Sequence, residues 1–316
     1  MSRHKRIALL GNRAMAIEIG EYLHAQEGVE LLIVLNPDDD GRDRGQALSL
    51  SKRAADWGVR TIQPKGLRKP AQIALLADFD PDLILSCSYA RIIPQTVIDL
   101  GREGCLNIHF ADLPKNRGCL PVVWTLALGA PDLVATLHEI TPGIDDGPIL
   151  MQARSPVSPG TTAEIATGIC AKLGAGLFKT YFDAWMRGDA PSAVAQDESV
   201  VTYHTMVHPY DRYPPVWLNP TRVANTINAL TFPPHPAARL NQSDANDELV
   251  LRGPAKPVDG YDGGPIGMIS KTDDGWIVVC QGGAVLFSAL ETDDGQPVVT
   301  DGPFFTDVTP VPEYAP

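Results

Sequence analysis

Short apolar runs alternate with amphipathic stretches over the first two-thirds of the chain, and this alternation constrains the fold most strongly. Five apolar runs are predicted to be strands, at 6–11, 30–36, 82–88, 105–109 and 134–140. Amphipathic stretches predict helices at 14–25, 45–57, 70–77, 120–128 and 161–188, the last with Thr161 and Glu164 spaced as in a capping box. Continuously apolar strands joined by helices indicate a doubly wound α/β fold with a mostly parallel sheet.

The last third of the chain has a different pattern, and the change falls in a polar, aperiodic stretch at 195–206. From Met206 on there are six Lys and Arg against fourteen Asp and Glu, so this part carries −8 of the net −12. A helix is predicted at 219–230, stopped by Pro233-Pro234, and strands follow at 266–270, 276–280 and 284–290 with turn sequences between them. We therefore predict two domains, 1–205 and a smaller, β-rich, OB-like domain at 206–316.

The composition of the chain argues against several classes of binding partner. The 316-residue chain is acidic and has no basic tract, which argues against nucleic acid. No apolar run is long enough to span a membrane, and the run after the basic residues 3–6 is too short for a signal peptide. Five cysteines without a Cys-X-X-Cys spacing predict free thiols and no metal site. We expect a cytoplasmic protein with a small-molecule substrate, and the sequence leaves its oligomeric state open.

Two polar side chains, Asn107 and His109, stand two residues apart at the end of a predicted strand. Alternate residues of a strand face the same side, so the amide and the imidazole point at one site and suit a developing negative charge. Asp145 and Asp146 follow the next strand in a glycine-flanked loop, and one carboxylate there would orient the imidazole and favour its charged form. His138 ends that strand, and both a structural and a functional role are open.

Two further positions have a structural and a functional interpretation. Gly11 and Asn12 form the turn into the first helix without a GxGxxG pattern, so they are either a tight turn or a phosphate-binding helix N-terminus. Arg117 either clamps an anion or is an ordinary surface arginine. No GxSxG motif occurs, so a serine hydrolase is not predicted.

Together these residues resemble the formyltransferases that use 10-formyltetrahydrofolate. The resemblance lies in Asn107-Ile108-His109, Leu113-Pro114-Lys115-Asn116-Arg117-Gly118, Pro121, Trp124, Thr136-Leu137-His138 and Gly143-Ile144-Asp145-Asp146-Gly147-Pro148-Ile149. It covers most of residues 5–190 and continues more weakly through 222–236. It implies a Rossmann-like formyltransferase fold for the first domain and an N-formyltransferase activity with 10-formyltetrahydrofolate as the donor.

The resemblance also implies roles for individual residues. Asn107, His109 and Asp145 occupy the family's catalytic positions: the first two stabilise an oxyanion while an amine attacks the formyl carbon, and Asp145 supports the imidazolium and helps proton transfer. The folate donor is expected to contact a strand end with its loop and part of the aspartate loop, namely Ser88, Tyr89, Ala90, Arg91, Ile92, Ile140, Gly143 and Asp145.

The acceptor is the least constrained part. The motifs look most like the sugar N-formyltransferases, which implies a nucleotide-linked amino-dideoxysugar bound by Gly11, Asn12, Asp112, Asn116, Arg117 and Trp124. Asp112 stands where many members have leucine, and it would suit a cationic substrate or simply face solvent. An N-hydroxyornithine-type amine in siderophore assembly and methionyl-tRNA are alternatives, although the −8 charge disfavours RNA. A formate-releasing hydrolase is also open, whereas a non-enzymatic folate or nucleotide-sugar binding protein is disfavoured because all three catalytic positions are intact.

Overall fold

The computed structural model describes residues 4–43, 48–232, 236–241, 248–298 and 303–305. The backbone forms two compact units, one of Met1–Arg117, Val134–Ser155 and Gly168–Val201, the other of Gly118–Leu133, Pro156–Thr167 and Thr202–Pro316. The second unit thus includes two segments that precede residue 205 in the chain. The predicted domain boundary at 205 stays a prediction.

The first 200 residues contain the following helices and strands. They are β1 (Lys5–Gly11), α1 (Arg13–His24), β2 (Val29–Leu35), α2 (Leu50–Trp57), β3 (Arg60–Ile62), α3 (Pro70–Ala77), β4 (Leu83–Cys87), α4 (Gln95–Ile98), β5 (Cys105–His109), β6 (Arg117–Gly118), α5 (Pro121–Ala127), β7 (Asp132–Glu139), β8 (Ile149–Pro156) and α6 (Ala163–Arg187). Later residues form β9 (Tyr203–His204), α7 (Pro220–Ala229), β10 (Ala238–Asn241), β11 (Glu248–Asp259), β12 (Met268–Thr272), β13 (Gly275–Cys280), β14 (Gly283–Thr292) and β15 (Phe304–Phe305).

A seven-stranded sheet with the order β3-β2-β1-β4-β5-β7-β8 forms the centre of the first unit. The pairs of β1 with β2 and β4, of β2 with β3 and of β4 with β5 are parallel, whereas β7 runs antiparallel to β5. Ile7 and Leu9 belong to one hydrophobic cluster, and Ala8 and Leu10 belong to another. Because alternate residues of a strand face opposite sides, both faces of the sheet are covered. The predicted doubly wound, mostly parallel fold is confirmed.

The predicted elements of this part are present, with most ends shifted by at most two residues. Strands β3, β6 and β8 and the helix α4 were not predicted: β3, β6 and α4 have only two to four residues each, and β8 mixes apolar with polar side chains. The helix predicted at 45–57 begins at Leu50 behind its cap Ser49, and residues 45–47 of that prediction lie outside the described residues.

The capping box predicted at Thr161 is wrong. The hydroxyl of Thr162 accepts from the Ile165 N–H at 3.4 Å, while the Glu164 N–H donates to the Thr231 carbonyl at 3.3 Å. Helix α6 therefore begins one residue later than predicted, and Thr162 rather than Thr161 is its capping side chain.

The second unit contains a six-stranded antiparallel sheet, ordered β10-β11-β14-β13-β12-β15. The predicted helix corresponds to α7, whose N-terminus is capped by the side chain of Asn219, and the predicted stop at Pro233-Pro234 lies outside the described residues. Strand β11, the longest of those described, was not predicted, and it contains Pro254 and Pro257, a residue type that is unusual inside a strand. A register shift between Arg252 and Ala255 accommodates the first of these prolines.

Within the described ranges, none of the helices combines the length and the apolar character that crossing a membrane requires. All five cysteines are free thiols, and four of them are buried: Cys87, Cys105, Cys170 and Cys280. Burial raises the pKa of the Cys280 thiol to about 11, so that side chain behaves as a small apolar residue.

We predict that Phe178→Ala lowers the free energy of unfolding by about 3–5 kcal/mol, because the ring is 0% exposed and its removal leaves a cavity in the core. The measurement is urea unfolding followed by circular dichroism. The control is Ile165→Ala, which truncates a side chain of the same helix that is 54% exposed. Equal losses for the two variants would contradict the assignment of α6 as a core helix.

Candidate functional site

Strands β5 and β7 bring three polar side chains to one face of the sheet. In their antiparallel register Asn107 lies opposite His138, and His109 lies opposite Thr136. Directly opposed residues of an antiparallel pair point to the same side, as do residues two apart on one strand. Asn107 is half-buried, and His109 and His138 are buried. The amide and both imidazoles therefore share a largely desolvated surface.

The loop after β7 supplies the carboxylate. Asp145 has a left-handed backbone, with φ of 53°, in a loop that folds back tightly. A Cβ on Gly147 would collide with the carbonyl oxygen of Glu139, so only glycine fits there. One oxygen of Asp145 lies 3.6 Å from His109 Nδ1, and the other lies 3.6 Å from His138 Nε2 and 3.5 Å from Asn107 Nδ2. The carboxylate thus contacts all three polar side chains.

The partners of each imidazole define its protonation pattern. His109 Nε2 lies 2.9 Å from the Asn116 carbonyl and therefore carries a hydrogen, while its Nδ1 faces Asp145. His138 Nδ1 donates to the Glu139 carbonyl at 2.8 Å, and its Nε2 lies 3.1 Å from the amide nitrogen of Asn107. Burial, followed by repulsion from His109, lowers the pKa of His138. We conclude that His138 is neutral and accepts a hydrogen bond from Asn107.

Asp146 has a different environment from its neighbour. Its carboxylate accepts a hydrogen bond from the Thr141 hydroxyl and covers Gly143, where a Cβ would collide with it. Its side chain is thus engaged within the loop itself. Asp145 is the carboxylate next to the imidazoles, as the position of the motif suggests.

The backbone of the aspartate loop is held by a side chain that the sequence did not reveal. The amide nitrogen of Gln196 donates to the carbonyls of Asp145 and Gly147, at 2.8 and 2.7 Å. Its oxygen accepts from the guanidinium of Arg117 at 2.8 and 3.1 Å, and Arg117 also donates to Glu198 at 2.7 Å. Gln196 lies in an aperiodic polar stretch, so only the folded chain reveals its role. The Arg117 side chain is 8% exposed and supports the loop through Gln196.

The loop after β4 contains the residues expected at the folate. Ser88, Ala90, Arg91 and Ile92 are exposed, and Ile92 is 62% exposed. Asn36 holds this loop: its amide donates to the Ser88 carbonyl at 3.2 Å and accepts from the Ala90 N–H at 3.0 Å. Sequence reasoning missed Asn36, which simply ends a predicted strand. The loop thus exposes the apolar side chain of Ile92, next to backbone that Asn36 holds in place.

Tyr89, Ile140 and Gly143 complete the set expected at the folate. Tyr89 and Ile140 are partly buried against the same hydrophobic cluster, and Gly143 is exposed. The hydroxyl of Tyr89 is buried, and within the part of the chain that the structure describes it has no hydrogen-bond partner. Burial raises the pKa of this phenol. An unpaired buried hydroxyl beside an exposed loop suits a ligand with a polar edge.

The residues expected at the acceptor have varied surroundings. Gly11 approaches the Cys87 carbonyl so closely that a Cβ would lie 2.5 Å from it, and Asn12 caps α1 through the Arg13 N–H. Asp112 forms an ion pair with Arg154 at 2.5 Å, and both side chains are about half-exposed.

The other residues expected at the acceptor are buried. Asn116 is buried, and its carbonyl contacts His109. Trp124 belongs to the second unit, where its ring stacks on His204 with centroids 4.1 Å apart. Acceptor contacts by these residues, and by Arg117, stay predictions.

Comparison with known proteins gives concordant matches. Residues 5–177 match the formyl transferase family. The methionyl-tRNA formyltransferase of Stutzerimonas stutzeri is 30% identical over 305 residues, which cover 94% of this chain and 93% of that protein. The crystal structure of WlaRD, a sugar 3N-formyl transferase with dTDP and 5-N-formyl-THF, has a TM-score of 0.71 at 19% identity, covering 90% of this chain and 98% of that one. An N-formyltransferase of Helicobacter canadensis, in complex with folinic acid and dTDP-3-aminofucose, has a TM-score of 0.68 at 18% identity, covering 90% and 99%.

We predict that Gln196→Ala lowers the free energy of unfolding by about 1–3 kcal/mol, because it leaves two loop carbonyls and part of the Arg117 guanidinium without partners. Urea unfolding measures the change. The control is the exposed Gln281→Ala, for which we expect a change within about 0.5 kcal/mol. If the two variants are equally stable, Gln196 does not hold the loop.

Proposed function

The chain belongs to the formyltransferase family, and from this premise we propose that it transfers a formyl group from 10-formyltetrahydrofolate to a primary amine. The observation that carries the proposal is the position of Asp145, whose carboxylate lies within 3.6 Å of His109 and 3.5 Å of Asn107. An amide donor, an imidazole and a carboxylate in one desolvated group are what acyl transfer to an amine requires.

The residues around β4 fit the proposed donor. A reduced folate has a flat ring system with a polar edge, attached to an apolar aromatic body. The exposed Ile92, the fixed backbone of 88–90 and the buried Tyr89 hydroxyl offer apolar and polar contacts of that kind. When bound, the donor supplies a formyl group on a nitrogen that departs as an amine.

The chemical step forms one carbon–nitrogen bond and breaks another. The acceptor nitrogen bonds to the formyl carbon, the bond from that carbon to folate N10 breaks, and the proton lost by the acceptor ends on N10. Asn107 donates a hydrogen bond to the formyl oxygen as it gains negative charge, and His109 stabilises the same charge from its Nδ1 side, since its Nε2 hydrogen is already bonded to the Asn116 carbonyl. Asp145 holds the imidazole and assists the movement of the proton. Metal chemistry is not part of this proposal.

For the acceptor we favour a nucleotide-linked amino-dideoxysugar. The support is the charge of residues 206–316, six Lys and Arg against fourteen Asp and Glu, which is unsuited to a phosphate backbone. Two structural neighbours add support: WlaRD is a sugar 3N-formyl transferase crystallised with dTDP, and the N-formyltransferase of Helicobacter canadensis was crystallised with dTDP-3-aminofucose. Gly11, Asn12, Asp112, Asn116, Arg117 and Trp124 are the proposed acceptor residues.

A second acceptor, methionyl-tRNA, is favoured by a different observation. The relative from Stutzerimonas stutzeri is similar over 94% of this chain, so the likeness includes the second unit as well as the first.

The decisive experiment incubates the protein and 10-formyltetrahydrofolate with dTDP-linked aminosugars, methionyl-tRNA or N-hydroxyornithine and follows tetrahydrofolate release. We expect release with an aminosugar. Release with methionyl-tRNA alone would overturn the sugar proposal, and no release with any amine would overturn formyl transfer.

We predict that Asn107→Ala lowers kcat by about 10²–10³, since it removes a hydrogen-bond donor to the developing negative charge. Steady-state rates of tetrahydrofolate release with the accepted amine measure the effect. Asn107→Asp keeps the size of the side chain but loses the donor, so it should be equally slow. The exposed Gln95→Ala is the control and should retain the wild-type rate. Full turnover of Asn107→Ala would remove the amide from the mechanism.

A further inference from the structure

His138 is a buried titratable side chain to which the proposed reaction assigns no role. It is 2% exposed, and it lies opposite Asn107 in the register of β5 and β7. Its two ring nitrogens have different partners: Nδ1 faces the Glu139 carbonyl at 2.8 Å, and Nε2 faces the Asn107 amide at 3.1 Å. A carbonyl only accepts, so the ring hydrogen is on Nδ1 and Nε2 is an acceptor.

The amide of Asn107 has two hydrogens and therefore two directions in which it donates. One hydrogen bond goes to His138 Nε2 at 3.1 Å, and a longer one goes to Asp145 Oδ1 at 3.5 Å. The terminal torsion of an asparagine is broad and roughly two-fold, so the backbone alone does not choose between the two amide orientations. With Nε2 as an acceptor, the amide nitrogen and not the oxygen faces His138.

The two hydrogen bonds differ in how readily a ligand replaces them. The contact with Asp145 is at the distance limit of a hydrogen bond, and the loop carboxylate has a second partner in His109 at 3.6 Å. The contact with His138 is shorter, and it is buried between two paired strands. A formyl oxygen that enters the site therefore takes the hydrogen that faces Asp145, while the other stays on His138.

We propose that His138 is a positioning residue that holds the Asn107 amide with one N–H on its Nε2, so that the other N–H is directed at the formyl oxygen. This inference rests on the proposed formyl transfer and assigns His138 no contact with the reacting atoms. It requires a neutral imidazole. A protonated His138 would donate from Nε2, turn the amide oxygen towards itself and direct no N–H at the substrate.

The charged groups around His138 agree with the neutral form. His109, Asp145 and Asp146 are the titratable groups that act on it, and the two aspartates favour its protonation. Burial and the neighbouring His109 act in the opposite direction, and they prevail, so that the pKa of His138 falls below the ordinary histidine value. The acceptor role is therefore available at neutral pH.

The test is a double-mutant cycle measured by tetrahydrofolate release. His138→Leu should lower kcat about 10-fold, the equivalent of one lost hydrogen bond, and leave KM for the donor unchanged. His138→Gln keeps an acceptor near the position of Nε2 and should recover most of that loss. In the Asn107→Ala background, His138→Leu should cause no further loss, because the group through which it acts is absent.

Two kinetic outcomes overturn the proposal. Equal losses from His138→Leu in the wild-type and Asn107→Ala backgrounds would indicate a role that does not pass through Asn107. A glutamine variant as slow as the leucine variant would indicate packing of the ring, since it would show that the acceptor is irrelevant.

A second readout needs neither turnover nor a stable variant of His138. Nitrogen-15 NMR of the histidine rings in the wild-type protein should show His138 neutral, with its hydrogen on Nδ1, from about pH 6 to 8, and Asn107→Ala should shift its Nε2 resonance. A hydrogen on Nε2, or an unshifted resonance, overturns the proposal. If the wild-type protein formylates no amine, the proposed function fails, and this measurement still decides whether His138 holds Asn107.

Discussion

The antiparallel pairing of β7 with β5, at the end of a run of parallel strands, is the constraint on which the site depends. It places Asn107 directly opposite His138. It also directs the end of β7 away from the edge where β1, β2, β4 and β5 end, so the loop that follows must turn back to bring its aspartate to His109. The left-handed backbone of Asp145 and the close approach of Gly147 to the Glu139 carbonyl are the local consequences.

Such a loop needs support, because a folded-back segment of nine residues between two strands has few backbone partners of its own. Gln196 provides that support by donating to two loop carbonyls, and Arg117 fixes Gln196 by donating to its oxygen. Burying a guanidinium is costly unless it is paired, and here Glu198 pairs with it at 2.7 Å. The arginine thus contributes to the site by fixing the one side chain, Gln196, that holds the backbone of Asp145.

Features that depend on neighbouring residues were predictable from the sequence, and features that depend on contacts between residues far apart in the chain were not. Asn107 and His109 were predictable because strand periodicity fixes their common direction within three residues. Gln196 and Asn36 were not, because each acts on a loop dozens of residues away through a single side-chain amide. Strand β11 was missed for a related reason: the bulge that accommodates Pro254 is defined by its partner strand β14 and leaves no local signature. The catalytic positions themselves were assigned by resemblance to the formyltransferases.

The central electrostatic feature is one carboxylate between two imidazoles, about equally far from each. Two imidazolium ions this close would repel each other, and the more deeply buried ring also loses more hydration on charging, so His138 is the one that stays neutral. His109 has a different pair of partners: its Nε2 hydrogen is bonded to the Asn116 carbonyl, and its Nδ1 faces the Asp145 carboxylate. The same asymmetry makes His138 an acceptor for Asn107. One difference in burial between two histidines thus keeps His138 neutral and specifies the orientation of the neighbouring amide.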